Sequence, residues 1–115
     1  MARSTPENKI KAALDQMLKE EKVWFFSPQS GIYGIAGIPD RIAIVDGRFV
    51  GIECKADRTK KPTALQFLRM MEIEDAGGKC FVVYDHETIA AVQKWIQYAR
   101  LGTIKSFDTE AEEPR

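Results

Sequence analysis

The sequence is poor in the residues that build zinc sites and disulfide frameworks. It has one histidine, His86, and two cysteines, Cys54 and Cys80, without the spacing that a tetrahedral zinc site needs. Each cysteine lies inside an apolar run, the setting of a reduced core thiol, and disulfides are rare in the cytosol. Long apolar runs are also missing. No stretch of eighteen apolar residues is present, and the opening Met-Ala-Arg-Ser-Thr-Pro-Glu-Asn-Lys has no secretory apolar core. These absences predict an intracellular, cytoplasmic protein with no membrane partner. Net charge is absent too: 17 basic residues cancel 17 acidic ones, which excludes a uniformly basic surface. Nor is there an internal repeat or a low-complexity segment.

What is present is an ordinary globular composition, 44% hydrophobic and 30% charged over 115 residues, enough for a core without staples. A single domain is expected over residues 1–105. Residues 106–115 hold Asp108, Glu110, Glu112 and Glu113 against Arg115 and are expected to form a disordered acidic tail. Removing that tail leaves the rest of the chain modestly basic. The positive charge gathers in Lys-Ala-Asp-Arg-Thr-Lys-Lys, residues 55–61, either a solvated loop or a phosphate-binding one.

The chemistry-bearing stretch is Ile-Pro-Asp-Arg-Ile-Ala-Ile-Val-Asp-Gly-Arg-Phe-Val-Gly-Ile-Glu-Cys-Lys, residues 38–55. Two strand-like runs flank an Asp-Gly pair, the strongest short-range hairpin signal. With Asp46 and Gly47 as the turn, Val45 faces Arg48, Ile44 faces Phe49, Ala43 faces Val50 and Ile42 faces Gly51. Asp40 then faces Glu53, their Cβ atoms roughly 4.5 to 5.5 Å apart. A longer turn would shift this pairing while leaving the strands adjacent. Lys55 shares the acid face, because side chains alternate along a strand. Like charges so placed are destabilising unless something positive lies between them. The middle of both hairpin faces is apolar, so helices are expected to cover both sides, with Gly51 leaving an open spot near the acids.

Around the hairpin the pattern alternates between helix and strand. Residues 4–22 read as an amphipathic helix with Ser4 as its cap, Pro6 early, and Glu7 as the capping-box partner. Ile10, Ala13, Leu14, Met17 and Leu18 form its buried stripe. Glu7 borders that stripe and is either a capping residue alone or a third acid reaching the site. Residues 23–27 read as a first strand. The loop 28–39 carries Gly31, Gly34 and Gly37 and reads as a flexible rim, with Tyr33 either packing or stacking on a base. Thr63 and Gln66 form a capping box opening a helix to about Ala76, stopped by Gly77 and Gly78. Gln66 serves that cap, or donates to a phosphate or a metal-bound water. Residues 80–84 read as a continuous buried strand, parallel to the second hairpin strand. Asp85 caps a last helix that ends at Gly102, and that cap accounts for His86. The fold class expected is α/β, a mixed sheet between helices in the order α-β-β-β-α-β-α.

Oxygen ligands from Asp40 and Glu53 select a hard cation, Mg²⁺ or Mn²⁺. A sparse carboxylate pair suits Mg²⁺, which keeps several waters and takes substrate phosphate oxygens. Lys55 would orient a water or stabilise charge growing on phosphoryl oxygens. Together they point to metal-dependent phosphodiester hydrolysis.

Gly37-Ile38-Pro39-Asp40, twelve further residues, and Glu53-Cys54-Lys55, with Glu7 on the first helix and Gln66 opening the next, resemble the VRR-NUC (virus-type replication-repair nuclease) branch of the PD-(D/E)xK nucleases. The likeness runs from about residue 6 to 85. It implies a restriction-endonuclease-like fold, with metal on Asp40, Glu53 and the Cys54 backbone carbonyl. Lys55 would be catalytic, and Glu7 and Gln66 additional site residues. It also implies a homodimer that cuts branched DNA such as four-way, Holliday-like junctions. The loop Ile-Tyr-Gly-Ile-Ala-Gly is less basic than a DNA-gripping segment of this kind, so Arg58, Lys60 and Lys61, with Lys9 or Lys11, become the expected phosphate contacts beside Tyr33. The alternative from another class is a non-catalytic, nuclease-fold DNA-binding or recombination accessory protein. A sequence-specific restriction-type enzyme fits less well, since the chain is short for a separate reading module.

Overall fold

A computed structural model describes residues 4–29 and 34–102. Gly31, Tyr33 and the acidic tail lie outside the described residues. Helix α1 (Pro6–Glu20) is followed by strands β1 (Trp24–Phe26), β2 (Arg41–Val45) and β3 (Arg48–Cys54), helix α2 (Ala64–Asp75), strand β4 (Lys79–Val83) and helix α3 (His86–Arg100). The four strands form one mixed sheet in the order β1-β2-β3-β4. β1–β2 and β2–β3 are antiparallel, whereas β3–β4 is parallel.

The hairpin turns where its chemistry dictates. Asp46 and Gly47 both take positive φ, 50° and 81°, the left-handed pair that a two-residue turn joining twisted strands requires. The register follows: Val45 pairs with Arg48, Ile44 with Phe49, Ala43 with Val50, Ile42 with Gly51, and Arg41 with Ile52. Asp40 is one residue before β2, and Glu53 is one residue beyond Ile52 along β3.

One face of this sheet carries the core. Ala43, Val45, Val50, Ile52, Cys54 and Val83 pack against Leu14, Met17 and Leu18 of α1 and Ile89, Val92, Ile96 and Ala99 of α3. Phe81 and Trp95 meet edge to face at its border, 5.4 Å between ring centres. The helical stripes are those that 3.6-residue periodicity marks out. Both cysteines are free thiols, Cys54 buried and Cys80 partly so.

The opposite face departs from expectation, because only part of it is covered. Helix α2 lies over the β3–β4 side, where Met70 is buried and its carbonyl accepts from the Cys80 thiol at 3.7 Å. Toward β1, none of the described helices covers the face. Trp24 is 64% exposed, and Phe26, Ile44 and Phe49 are exposed beside it. Strand β4 is an edge strand, with only Val83 of its five residues buried, in contrast to the expected buried run. Periodicity reports which residues are apolar, not whether this chain supplies their partner.

Two local corrections matter for the site. The α1 cap is Thr5, not Ser4: its side chain accepts from the Asn8 amide at 3.1 Å. With Pro6 as the first helical residue, the third position is Asn8, so Glu7 is not a capping-box partner. The space above Gly51 is filled, too. A Cβ there would come 2.8 Å from Cγ of the Pro39 ring, so glycine lets buried Pro39 sit directly on the sheet.

Candidate active site

Three segments meet beside the outer end of the β2–β3 hairpin: the start of α1, the loop ending in Pro39-Asp40, and the start of α2. The described part of that loop, residues 34–39, touches α2 at two points. Arg69 donates to the Ala36 carbonyl at 3.0 Å. Gly37, at φ 83°, passes so close to Leu65 that a Cβ would meet its Cγ at 2.8 Å. Asp40 therefore leaves a constrained segment.

Asp40 is fixed on both its backbone and its carboxylate. Its Oδ2 accepts from the Cys54 amide at 2.8 Å, tying the two hairpin strands together beyond the last regular pair. Its carbonyl accepts from Arg41 Nη1 at 2.8 Å. Arg41 in turn makes a two-pronged pair with Asp15 of α1, at 2.7 and 3.0 Å, and reaches Ser27 Oγ at 3.1 Å. This Asp15–Arg41 brace was missed by sequence reasoning. Its signal was available: Glu7, Lys11 and Asp15 recur every four residues along one side of α1, and Arg41 directly follows the acid.

Lys11 occupies the gap between two acids. Its ammonium lies 3.3 Å from Glu7 Oε2 and 3.6 Å from Asp40 Oδ1. Partial burial works against the charge, but Asp40 and Glu7 outweigh it and raise the Lys11 pKa above its ordinary value. Glu7 is thus an ion-pair partner on the exposed side of Lys11.

Glu53 is the most buried charged group described, at 2% exposure. Its Oε2 pairs with Lys55 Nζ at 3.2 Å, whereas its Oε1 is buried with no hydrogen-bond partner. Burial first, then the charge of Asp40, push its carboxyl up to about 7 against the opposing pull of Lys55, and Glu7 adds to the rise. Such an orphaned oxygen costs on the order of 1–3 kcal/mol, and more when charged. Beside it, burial and then Asp40 push the Cys54 thiol up to about 12. That thiol stays neutral and inert. The Cys54 backbone amide donates to Asp40, and Cys54 lies opposite Val83 in the β3–β4 ladder.

Lys55 is held from two sides. Besides Glu53, its Nζ donates to Gln66 Oε1 at 2.9 Å. That same oxygen accepts from the Thr63 amide at 2.9 Å, while Thr63 Oγ1 accepts from the Gln66 amide. The capping box and the lysine anchor are one side chain in one position. The capping reading of Gln66 holds, and its second contact is acceptance from Lys55.

The basic loop follows directly. Asp57 organises it, accepting from the Thr59 amide at 2.8 Å through its side chain and from the Lys60 amide at 3.1 Å through its carbonyl. Arg58, Lys60 and Lys61 are exposed. Tyr33 lies outside the described residues. His86 is the first residue of α3 behind the Asp85 cap and is exposed.

Among the described residues, no three or more acidic, histidine or cysteine side chains are gathered closely enough to hold a metal ion. Two carboxylates, Asp40 and Glu53, form the nucleus, with Glu7 held off by the intervening Lys11. An apolar groove of about 580 Å³, lined in part by Ile35, Ile38, Phe49 and Ile73, includes none of these site residues. Among the described residues, no helix is long and apolar enough to cross a membrane. No protein-family model matches the chain, and no curated protein matches it.

Proposed function

We propose that the chain is a Mg²⁺- or Mn²⁺-dependent, structure-selective DNA endonuclease of the VRR-NUC type, built on a restriction-endonuclease-like fold. The single observation that carries the reading is Glu53. A carboxylate at 2% exposure with an unpartnered oxygen, next to a second acid and a tethered lysine, is expensive for folding alone. A divalent cation offsets that cost better than neutral packing does, so the residues fit one.

Asp40 and Glu53 would hold the cation, with the Cys54 carbonyl added on the family resemblance alone. Bound there, Mg²⁺ or Mn²⁺ supplies Lewis-acid polarisation of a phosphoryl oxygen and an acidified water. The chain's own contributions are positional. The Cys54 amide orients Asp40, the Arg41–Asp15 brace fixes its backbone, and Gln66 aims Lys55 at the charge developing on the phosphoryl oxygens. Arg58, Lys60 and Lys61 would contact flanking phosphates, giving affinity with little base preference.

Branched DNA as substrate, a homodimer and a cytoplasmic setting belong to the same proposal. The open apolar strip of Trp24, Phe26, Ile44 and Phe49 supports dimerisation, since patches of this kind mark interaction surfaces. A two-fold dimer would present two sites to a four-way junction. A second reading, a DNA-binding accessory protein without turnover, is favoured by one observation: Lys11 and Lys55 already counter the acids.

One cleavage panel separates the two. Purified protein with Mn²⁺ is expected to cut four-way junctions or flaps. Asp40→Asn and Lys55→Ala are expected to abolish cutting while leaving junction binding largely intact. Binding without cutting of junctions, flaps or single strands would sink the enzyme reading.

A further inference from the structure

The start of α1 places a positive charge where a cation would bind. Lys11 and Glu7 are one helical turn apart, and the ammonium spans from Glu7 Oε2 to Asp40 Oδ1. The other Asp40 oxygen is committed to the Cys54 amide. Oδ1, the oxygen freest to meet a cation, is therefore the one that faces Lys11. The buried Oε1 of Glu53 has no hydrogen-bond partner, so the acid pair is compensated at Asp40 Oδ1 and at Glu53 Oε2 but not at Glu53 Oε1. An ammonium and a divalent ion cannot both sit against Oδ1 without strong mutual repulsion.

We propose that Lys11 is a built-in counter-ion that competes with a divalent cation for Asp40. When the cation binds, the ammonium leaves Asp40 and is retained by Glu7. The proposal rests on the metal-dependent reading above and adds a residue that sets its cation affinity. Lys11 is a positioning residue here, not a catalytic one. Its flexible four-carbon stem suits it to two resting places, and a Glu four residues before a Lys is a favourable helical pair that survives the loss of Asp40. Glu7 then acts through Lys11 instead of as a direct ligand.

The test uses the whole chain and two measurements that do not depend on cleavage. Mn²⁺ binding is read by electron paramagnetic resonance of the free ion for the wild type, Lys11→Met, Glu7→Gln and the double variant. Lys11→Met is expected to tighten Mn²⁺ about tenfold. Glu7→Gln is expected to weaken it in the wild-type background but not in the Lys11→Met background, because its action runs through the lysine. In parallel, the Lys11 side-chain Cε and Nζ signals are followed by NMR during a Mg²⁺ titration. They are expected to move as Asp40 is vacated. Equal Mn²⁺ affinity in wild type and Lys11→Met, or Lys11 signals that stay fixed while Mg²⁺ binds, overturns the competition and leaves the metal site standing. Absence of Mn²⁺ binding in every variant overturns the competition and the metal-dependent reading together.

Discussion

Lys55 Nζ and Gln66 Oε1 are 2.9 Å apart, and the oxygen that receives the lysine also closes the N-terminal cap of α2. One acceptor thus serves both a helix start and the candidate catalytic ammonium. The two roles separate by mutation. Thr63→Ala removes the hydroxyl half of the cap and is expected to cost about 1 kcal/mol with cleavage retained. Gln66→Ala is expected to cost a similar amount and also to lower kcat, as Lys55 loses its tether. Urea denaturation and single-turnover cleavage on the same samples check the pair.

The Glu53 carboxyl is raised from an ordinary 4.5 to about 7, first by burial and then by Asp40. Between those two values the folded chain binds a proton that the unfolded chain has already released. Stability of the cation-free protein therefore falls as pH rises from about 4.5 to about 7, and this contribution is flat above that window. Its size is at most about 3 kcal/mol. Urea midpoints in the presence of chelator, taken as wild type minus Glu53→Gln, isolate it from other carboxylates. A difference that stays level across the window contradicts the assignment.

Gly51→Ala brings a methyl group to 2.8 Å from the Pro39 ring, with Cys80 Sγ at 3.3 Å on another side. A proline ring next to fixed backbone has little room to give, so the substitution is expected to destabilise by about 1–3 kcal/mol. Because Pro39 precedes Asp40, cleavage at a temperature where the variant is folded is expected to fall as well. Thermal melting and activity at low temperature measure the two effects separately.

The exposed basic loop predicts electrostatic affinity without sequence reading. Lys60→Ala with Lys61→Ala is expected to reduce the slope of log affinity against log salt by about 2, one for each lost phosphate contact. Fluorescence anisotropy with junctions of different sequence at several salt concentrations provides the measurement. An unchanged slope removes Lys60 and Lys61 from the proposed phosphate contacts.

Much of the site was legible because its determinants are local. Asp46-Gly47 fixes a turn, the turn fixes a register, and the register brings Asp40 and Glu53 to the same end of the hairpin. Thr63 and Gln66 announce their helix by spacing alone. What was not legible depends on how distant segments meet. Nothing in the spacing of Lys11 says that α1 approaches Asp40 closely enough to pair with it. Ser4 and Thr5 are both competent caps, and only the position of Pro6 as the first helical residue selects between them. The open apolar strip at Trp24 was unreadable for a different reason: apolar side chains look alike whether or not their own chain covers them.

The core packs between the sheet and helices α1 and α3, whereas Glu53, Lys55 and Gln66 meet toward the other side of the same strands. Substitution of the half-buried Asp40 therefore leaves the packed interior alone, unlike substitution of the buried Glu53. Asp40→Asn even retains a carbonyl oxygen for the Cys54 amide. Under the proposed nuclease reading, Asp40→Asn is therefore expected to be folded and inactive, suited to capturing an uncut substrate.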